Sequence, residues 1–390
     1  MWFDKKDLTI NPIIKVNDLH GYVLPHAGTL YTGEIISHTL RFRSTNKIKK
    51  IIILYYPESK TPDIIDIKDS SISYYHEYYV PWKSIDYIFN DKTIKYEGYN
   101  INVLDKLYIN TIKKSLNIND TLIVISSDFS HFLDFNKAIE LENKAAHSLM
   151  FRELIKSPHI NIVDDVKTYR IFYKIIPKNL QLQWIGRSRS VGKKSVGYLS
   201  FLLRKSKIPD KNINHISTLP DGIFVTTFDK NMNTRECIGN WYDNHDSSNT
   251  WSLDSETNLI SKVIKLAQVT SRLTGGKYLE IPISNYTVTY LYNDTKNNFI
   301  RGYHGILHNA FYLPEVFLEN TFNNGHWITE YDTQWETGNI FNLDETFNKL
   351  NIKAGLNQNN KLNSPNIKRT KKNILQNYKL YSSSIIHYKI

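Results

Sequence analysis

Two short segments about a hundred residues apart concentrate the side chains best suited to chemistry. The first, Leu24-Pro25-His26-Ala27-Gly28, has Tyr31 and Gly33 behind it and follows a short strand-like stretch. The second, Ser126-Ser127-Asp128-Phe129-Ser130-His131, follows directly on the apolar run Leu122-Ile123-Val124-Ile125. Ligand-binding residues gather at strand ends in α/β sheets, and Gly28 and Gly33 allow backbone geometry that other residues resist. His26, Asp128 and His131 are therefore expected to converge on one cleft. Two imidazoles and a carboxylate suit a facial metal site or an acid–base pair in which Asp128 orients His131. The plainer alternatives are hydrogen-bonded or exposed histidines, and an Asp128 that caps a helix.

A second constellation surrounds the lone cysteine, in Arg235-Glu236-Cys237-Ile238-Gly239. Further on come Gly302-Tyr303-His304-Gly305-Ile306 and Tyr312-Leu313-Pro314-Glu315-Val316, with Trp327 behind. Cys237 next to Arg235, with His304 in reach, would be an activated thiolate nucleophile. Glu236 works against this by raising the thiol's pKa, and the alternative is a buried cysteine packed as a small apolar side chain. A single cysteine excludes an intrachain disulfide framework and a Cys-rich zinc site.

The elements that must hold these groups are legible as apolar runs. Ile51-Ile52-Ile53-Leu54 and Leu122-Ile123-Val124-Ile125 suit buried strands. Ala138–Ala146 reads as a helix behind the candidate cap Asn136. A chain of 390 residues exceeds what one core usually supports. Lys205-Ser206-Lys207-Ile208-Pro209-Asp210 marks the boundary, giving an α/β domain over 1–205 and an α+β domain over 206–390. In the second, strands are expected at 223–227 and 286–292 and a helix near 256–270.

Residues 1–205 hold 30 Lys and Arg against 21 Asp and Glu, residues 206–352 hold 11 against 17, and residues 353–390 hold 8 against none. The net charge of +11 is thus split between the first half and a tail that contains Lys368-Arg369-Thr370-Lys371-Lys372. Such a run is a solvated loop or a phosphate-binding patch, so a basic protein contacting nucleic acid stands as one alternative. No run approaches ~18 apolar residues, and Met1-Trp2-Phe3-Asp4-Lys5-Lys6-Asp7 lacks the pattern of a signal peptide. The expectation is a cytoplasmic protein with no membrane partner.

The motifs of the first half resemble the Memo family, whose fold is similar to the class III extradiol dioxygenases. The likeness runs over roughly the first 205 residues and includes a Glu-x-x-x-Pro-aromatic stretch at Glu77, Pro81 and Trp82. It implies a mixed sheet flanked by helices and a pocket for a metal with three ligands. His26 matches one of them, and Asp128 and His131 line the same pocket. The family's Gly-Pro-x-His turn reads Leu54-Tyr55-Tyr56-Pro57-Glu58-Ser59 here, and its His-Ser becomes Tyr74-Tyr75, with His76 displaced by two positions. The cysteine of its Cys-Gly-Arg-like turn becomes Ile185, before Gly186 and Arg187. Isoleucine cannot bind metal. The departures imply a degenerate pocket, a pseudo-enzyme and no cofactor. In the alternative, Glu58 supplies an oxygen ligand, and His26, Glu58 and His131 would suit Fe(II), or copper, in a redox enzyme of extradiol-dioxygenase type.

The motifs of the second half resemble the AMMECR family, which shows Arg-Gly-Cys-Ile-Gly, Gly-Val-His-Gly-Ile and Tyr-Leu-Pro-Glu-Val in this order. The resemblance places Arg235, Gly239, His304 and Glu315 in a motif pocket with Cys237. Glu236 replaces the family's glycine, and its Asp-x-Arg-Phe becomes Thr270-Ser271-Arg272-Leu273. The stretch from Tyr381 to Tyr388 looks like the family's closing strand. Memo and AMMECR domains occur together with a radical S-adenosylmethionine protein in AmmeMemoRadiSam systems. The joint resemblance implies a domain fusion acting as a binding or accessory component, with such a radical protein as partner.

Overall fold

The strands foreseen at Ile51–Leu54 and Leu122–Ile125 lie side by side at the centre of the first sheet. The computed structural model describes residues 2–57, 64–65, 75–102, 106–153, 162–190, 195–205, 219–242, 250–269, 282–294, 300, 302–307, 311–320 and 379–390. Glu58, Tyr74, the boundary segment after Lys205, Thr270–Leu273, Trp327 and the Lys368–Lys372 run lie outside the described residues. The chain divides into two compact units, with the first ending its main run at Ser206 and the second covering Lys207–Asn323 and Glu330–Ile390.

The first unit is mixed α/β. Its elements are β1 (Ile14–Val16), β2 (Leu19–Leu24), α1 (Thr29–Leu40), β3 (Phe42–Ser44), β4 (Lys50–Tyr55), β5 (Ile64–Ile65), α2 (His76–Phe89) and β6 (Lys95–Asn100). They are followed by α3 (Lys106–Ser115), β7 (Thr121–Ser126), β8 (His131–Leu133), α4 (Phe135–Met150), α5 (Val166–Ile175), β9 (Leu180–Arg189) and β10 (Ser195–Lys205). The main sheet runs β5-β6-β4-β7-β2-β10-β8, with β9 paired to β10. Strands β6, β4, β7 and β2 are parallel neighbours. Ile51–Leu54 and Leu122–Ile125 are buried throughout, as expected for parallel strands covered on both faces.

Strand β10 lays out the site. It pairs antiparallel with β2 through Phe201–Arg204 and with β8 through Ser195 and Val196, while β9 occupies its other side. The end of β2 and the start of β8 therefore face each other across the Gly197–Ser200 stretch. Backbone bonds from Phe129 N–H to Gly197 and from Gly197 N–H to Ser130 tie the second motif to β10. Helix α4 begins at Phe135, so Asn136 lies inside it and Asp134 takes the cap position; the short strand β8 ends directly before it. Gly28 has an ordinary φ of −52°. Gly33 is the glycine with a steric need, because a Cβ there would lie 2.2 Å from the carbonyl oxygen of Asp7.

The second unit is a six-stranded sheet, ordered β12-β11-β13-β16-β14-β15. Its elements are β11 (Gly222–Asp229), β12 (Thr234–Trp241), α6 (Leu253–Val269), β13 (Ile283–Asn293), β14 (His304–Leu307), β15 (Phe311–Tyr312), α7 (Pro314–Asn320) and β16 (Lys379–Lys389). Every pairing in it is antiparallel. Leu259 and Val263 of α6 pack with Ile223, Val225, Val288, Tyr290 and Ile386 on one face. The alternate residues Phe224 and Leu291 join Trp241, Phe311, Leu313 and Tyr381 on the other.

Candidate functional site

His26 leaves the carboxyl end of β2, and Ser126 ends the neighbouring parallel strand β7. Asp128, two residues on, turns back so that its Oδ1 accepts the His26 backbone N–H at 2.9 Å. Asp128 is thus a clamp on the first motif rather than a helix cap. The His26 ring is buried, with Nδ1 2.9 Å from Ser126 Oγ. Its Nε2 lies 3.1 Å from Asp164 Oδ2 and 3.8 Å from Asp128 Oδ2. His131 sits farther out, its Nε2 3.9 Å from Asp164 Oδ1. The two motifs therefore converge, and Asp164 is the group that lies between their imidazoles.

Asp164 reaches the site because its backbone N–H bonds to the Asp128 carbonyl at 3.3 Å. The adjacent Asp165 caps α5, accepting from Lys167 and Thr168 N–H. Asp164 and Asp165 are adjacent in the sequence, and with Asp165 taken as the cap Asp164 is left to face the imidazoles. His76 also enters: its ring meets the His26 ring edge-on at 5.4 Å and stacks on Trp2 at 4.1 Å. His76 is the first residue of α2. Exposed Trp2, Leu30, Tyr31 and Phe132 flank the motif residues, and Phe132 adopts a φ of 56°, unusual for an aromatic side chain.

Electrostatics in this cluster favour a charged imidazole. Burial opposes the proton on His26, but Asp128, Asp164 and Glu77 outweigh it and raise the pKa to about 9. Burial would raise the Asp164 carboxyl, yet His26, His131 and His76 together hold it below the ordinary range. Because a metal takes only neutral imidazole, binding near pH 7 would have to displace this proton, at a cost of roughly a hundredfold in apparent affinity.

At two positions where the resemblance implies a ligand, the described residues carry no imidazole or thiolate. Ile185 is buried in β9, its carbonyl within 3.1 Å of His38 Nε2. Tyr55, at the turn that lacks the histidine, is buried with its ring 5.4 Å from that of Tyr78. Among the described residues, no group of three or more His, Cys, Asp or Glu side chains is arranged to hold a metal ion. Glu58, the oxygen ligand of the alternative reading, lies outside the described residues.

Arg187 of the same turn has a different task. With Arg189 it engages Glu142 of α4, at 2.6 and 3.0 Å, and all three side chains are almost fully buried. Glu142 also accepts the hydroxyl of Ser130. Gly197 makes room for this carboxylate, since a Cβ there would lie 1.9 Å from Glu142 Oε1. The cluster fixes the second motif from behind.

In the second unit the motif residues separate. The register of β11 against β12 shifts between Thr226 and Phe228, and such a bulge reverses the alternation of side chains. Arg235 accordingly donates to the Ala267 carbonyl at 3.3 Å, in the last turn of α6, where a cation suits the helix end. Cys237 packs instead with the Leu291, Leu313 and Tyr381 cluster. The two ring nitrogens of His304 are engaged by Ile300 N–H at 2.9 Å and by Asp294 Oδ2 at 3.1 Å, so His304 pins a turn. Gly239 and Gly305 admit the rings of Phe224 and Phe311, which a Cβ would meet at 2.5 and 2.4 Å. Glu315, in the first turn of α7, is one of the charges acting on Cys237.

Burial pushes the Cys237 thiol up to about 11, against the Thr226 hydroxyl bond, and Glu315, Glu319 and Glu236 add to the rise. This is not the setting of a thiolate nucleophile. Two pKa units above the ordinary value of 9.0 leave roughly a hundredfold less thiolate at neutral pH. Alkylation of native protein by iodoacetamide is therefore expected to run about a hundredfold slower than after unfolding, as read by intact mass. Equal rates would show an unperturbed thiol, and a faster native rate an activated one.

A likeness in sequence accompanies these observations. The chain is similar to a MEMO1 family protein of Sulfurisphaera tokodaii, 22% identical over 168 aligned residues that cover 33% of this chain. That likeness supports a Memo-like domain. The match covers 59% of the length of that relative. No family model matches the chain. The Memo-like motifs of this sequence are those whose side chains converge around His26. Among the described residues, no helix is long and apolar enough to cross a membrane.

Proposed function

We propose that this chain is a Memo–AMMECR-like fusion that works as a binding or accessory component, with a Memo-like pocket that has exchanged metal ligation for an imidazole–carboxylate pair. The observation that carries this reading is that both His26 ring nitrogens are engaged inside the chain, by Ser126 and by Asp164. Asp164 thus occupies the atom that a metal would need. The exposed rings of Trp2, stacked on His76, and of Phe132, against His131, support a role in binding. Resemblance to AmmeMemoRadiSam systems makes a radical S-adenosylmethionine protein the partner to test first.

Elemental analysis of protein purified without chelator is the direct test. The expected result is iron and copper far below one equivalent per chain. Stoichiometric iron or copper that His26→Ala abolishes would overturn the proposal in favour of a metal-dependent redox enzyme.

A further inference from the structure

The carboxylates at His26 outnumber the charge that answers them. Asp128, Asp164 and Glu77 all act on this ring, and one imidazole can balance one of the three. Asp128 is 4% exposed, and its Oδ1 accepts the His26 backbone N–H. Its Oδ2 has no hydrogen-bond donor among the described residues, since His26 Nε2 lies 3.8 Å away, beyond bonding distance. A buried carboxylate oxygen left in this state is costly. Asp164 Oδ2 meets His26 Nε2, but its Oδ1 stands 3.9 Å from His131 Nε2, again too far for a bond. The Asp164 side chain is 31% exposed, so these oxygens can be approached from solvent.

Two exposed rings adjoin the same imidazoles. Trp2 stacks on His76, whose ring meets that of His26 edge-on. Phe132 lies 6.0 Å from the His131 ring and is 64% exposed. From this geometry we infer that the mouth of the site takes an organic cation, a primary ammonium on an alkyl chain. Its N–H groups answer Asp128 Oδ2 and Asp164 Oδ1, and Trp2 and Phe132 offer ring faces to its charge and methylenes. The open oxygens belong to two different carboxylates, which suits a compact ammonium with three rotatable donors better than a planar guanidinium fork that grips one carboxylate. An anionic ligand would face the same carboxylates and be repelled. Unlike a metal, the ammonium asks nothing of His26 Nε2. The inference rests on the binding role proposed above and names the ligand class.

The test is calorimetric titration of the full chain at low salt with two probes, n-pentylammonium and the capped peptide acetyl-Gly-Lys-Gly-amide. The same peptide acetylated on its lysine is the neutral control. The cations are expected to bind roughly tenfold or more tighter than the control, the scale of one charge-assisted hydrogen bond. Asp164→Asn should weaken them by about tenfold, and Trp2→Ala, at an exposed position, by about two- to fivefold. Equal binding of the two probes would point to a free amine, and a stronger peptide to a lysine of a protein partner; either result supports the inference. An acetylated peptide that binds as well as the lysine peptide, no binding of either cation at millimolar concentration, or affinities unchanged in both variants would overturn it. Iron and copper measured on the same sample keep the two readings apart. Stoichiometric metal overturns the accessory role, whereas metal-poor protein that does not select the cation overturns this inference alone.

Discussion

Glu142→Ala is expected to lower the unfolding free energy of the first unit by about 3–5 kcal/mol, the usual cost of removing one partner from a buried ion pair. The carboxylate is fully buried between Arg187 and Arg189, and it also accepts from Ser130. Its loss removes the buried carboxylate that both guanidinium groups engage. Alanine cannot restore either bond, and the space cleared by Gly197 would stand empty. Urea titration, read by hydrogen exchange at the β9 and β10 amides, measures the change without interference from the second unit. Replacing all three charges with methionine should recover much of the loss, because the penalty comes from unpaired charge more than from the missing pair. A cost below about 1 kcal/mol for Glu142→Ala would show that the cluster does not anchor the sheet.

The second large effect is on pH dependence. His26 has a folded pKa raised to about 9, against 6.5 for the free side chain. Below pH 6.5 the ring is protonated in both states, and the stabilisation by Asp128 and Asp164 is fully present. Between 6.5 and 9 the folded ring keeps its proton while the unfolded ring loses it, so stability falls as pH rises. Above 9 the contribution is gone. The shift corresponds to about 3 kcal/mol. Wild type is therefore expected to lose that much across this window relative to His26→Gln, whose uncharged side chain does not titrate. Asp164→Asn should bring the His26 titration down, as seen in its ring proton shifts. A wild-type ring that titrates at or below 6.5 would contradict the assignment. On the acid side the sign reverses, because the Asp164 carboxyl is depressed in the folded state and its contribution is lost as pH falls through its folded pKa.

Legibility in the sequence followed the range of the interaction. The strands at Ile51–Leu54 and Leu122–Ile125 and the helices near 138 and 256 are readable because local periodicity reports burial. The pairing of His26 with Asp128 was readable because both follow strands that end at the same edge of a parallel sheet. Asp164 was missed because its place depends on one backbone bond to Asp128 and on the neighbouring residue capping α5. Arg235 beside Cys237 suggested an activated thiol, but a bulge in β11 and β12 sends the two side chains to opposite faces. A register shift has no signature in residue spacing.

The sequence by itself determined which groups exist to do chemistry: His26, Asp128 and His131 in two motifs, one cysteine, and an isoleucine at position 185 where the resemblance implies a ligand. Only the tertiary structure decided what those groups face. Strand β10 sets β2 and β8 end to end, Asp164 closes on His26 Nε2, and Ser126 links the His26 ring to the Glu77 carbonyl. Each of these depends on hydrogen bonds between elements distant in the chain. Their free energies are fixed by geometry that local composition does not encode.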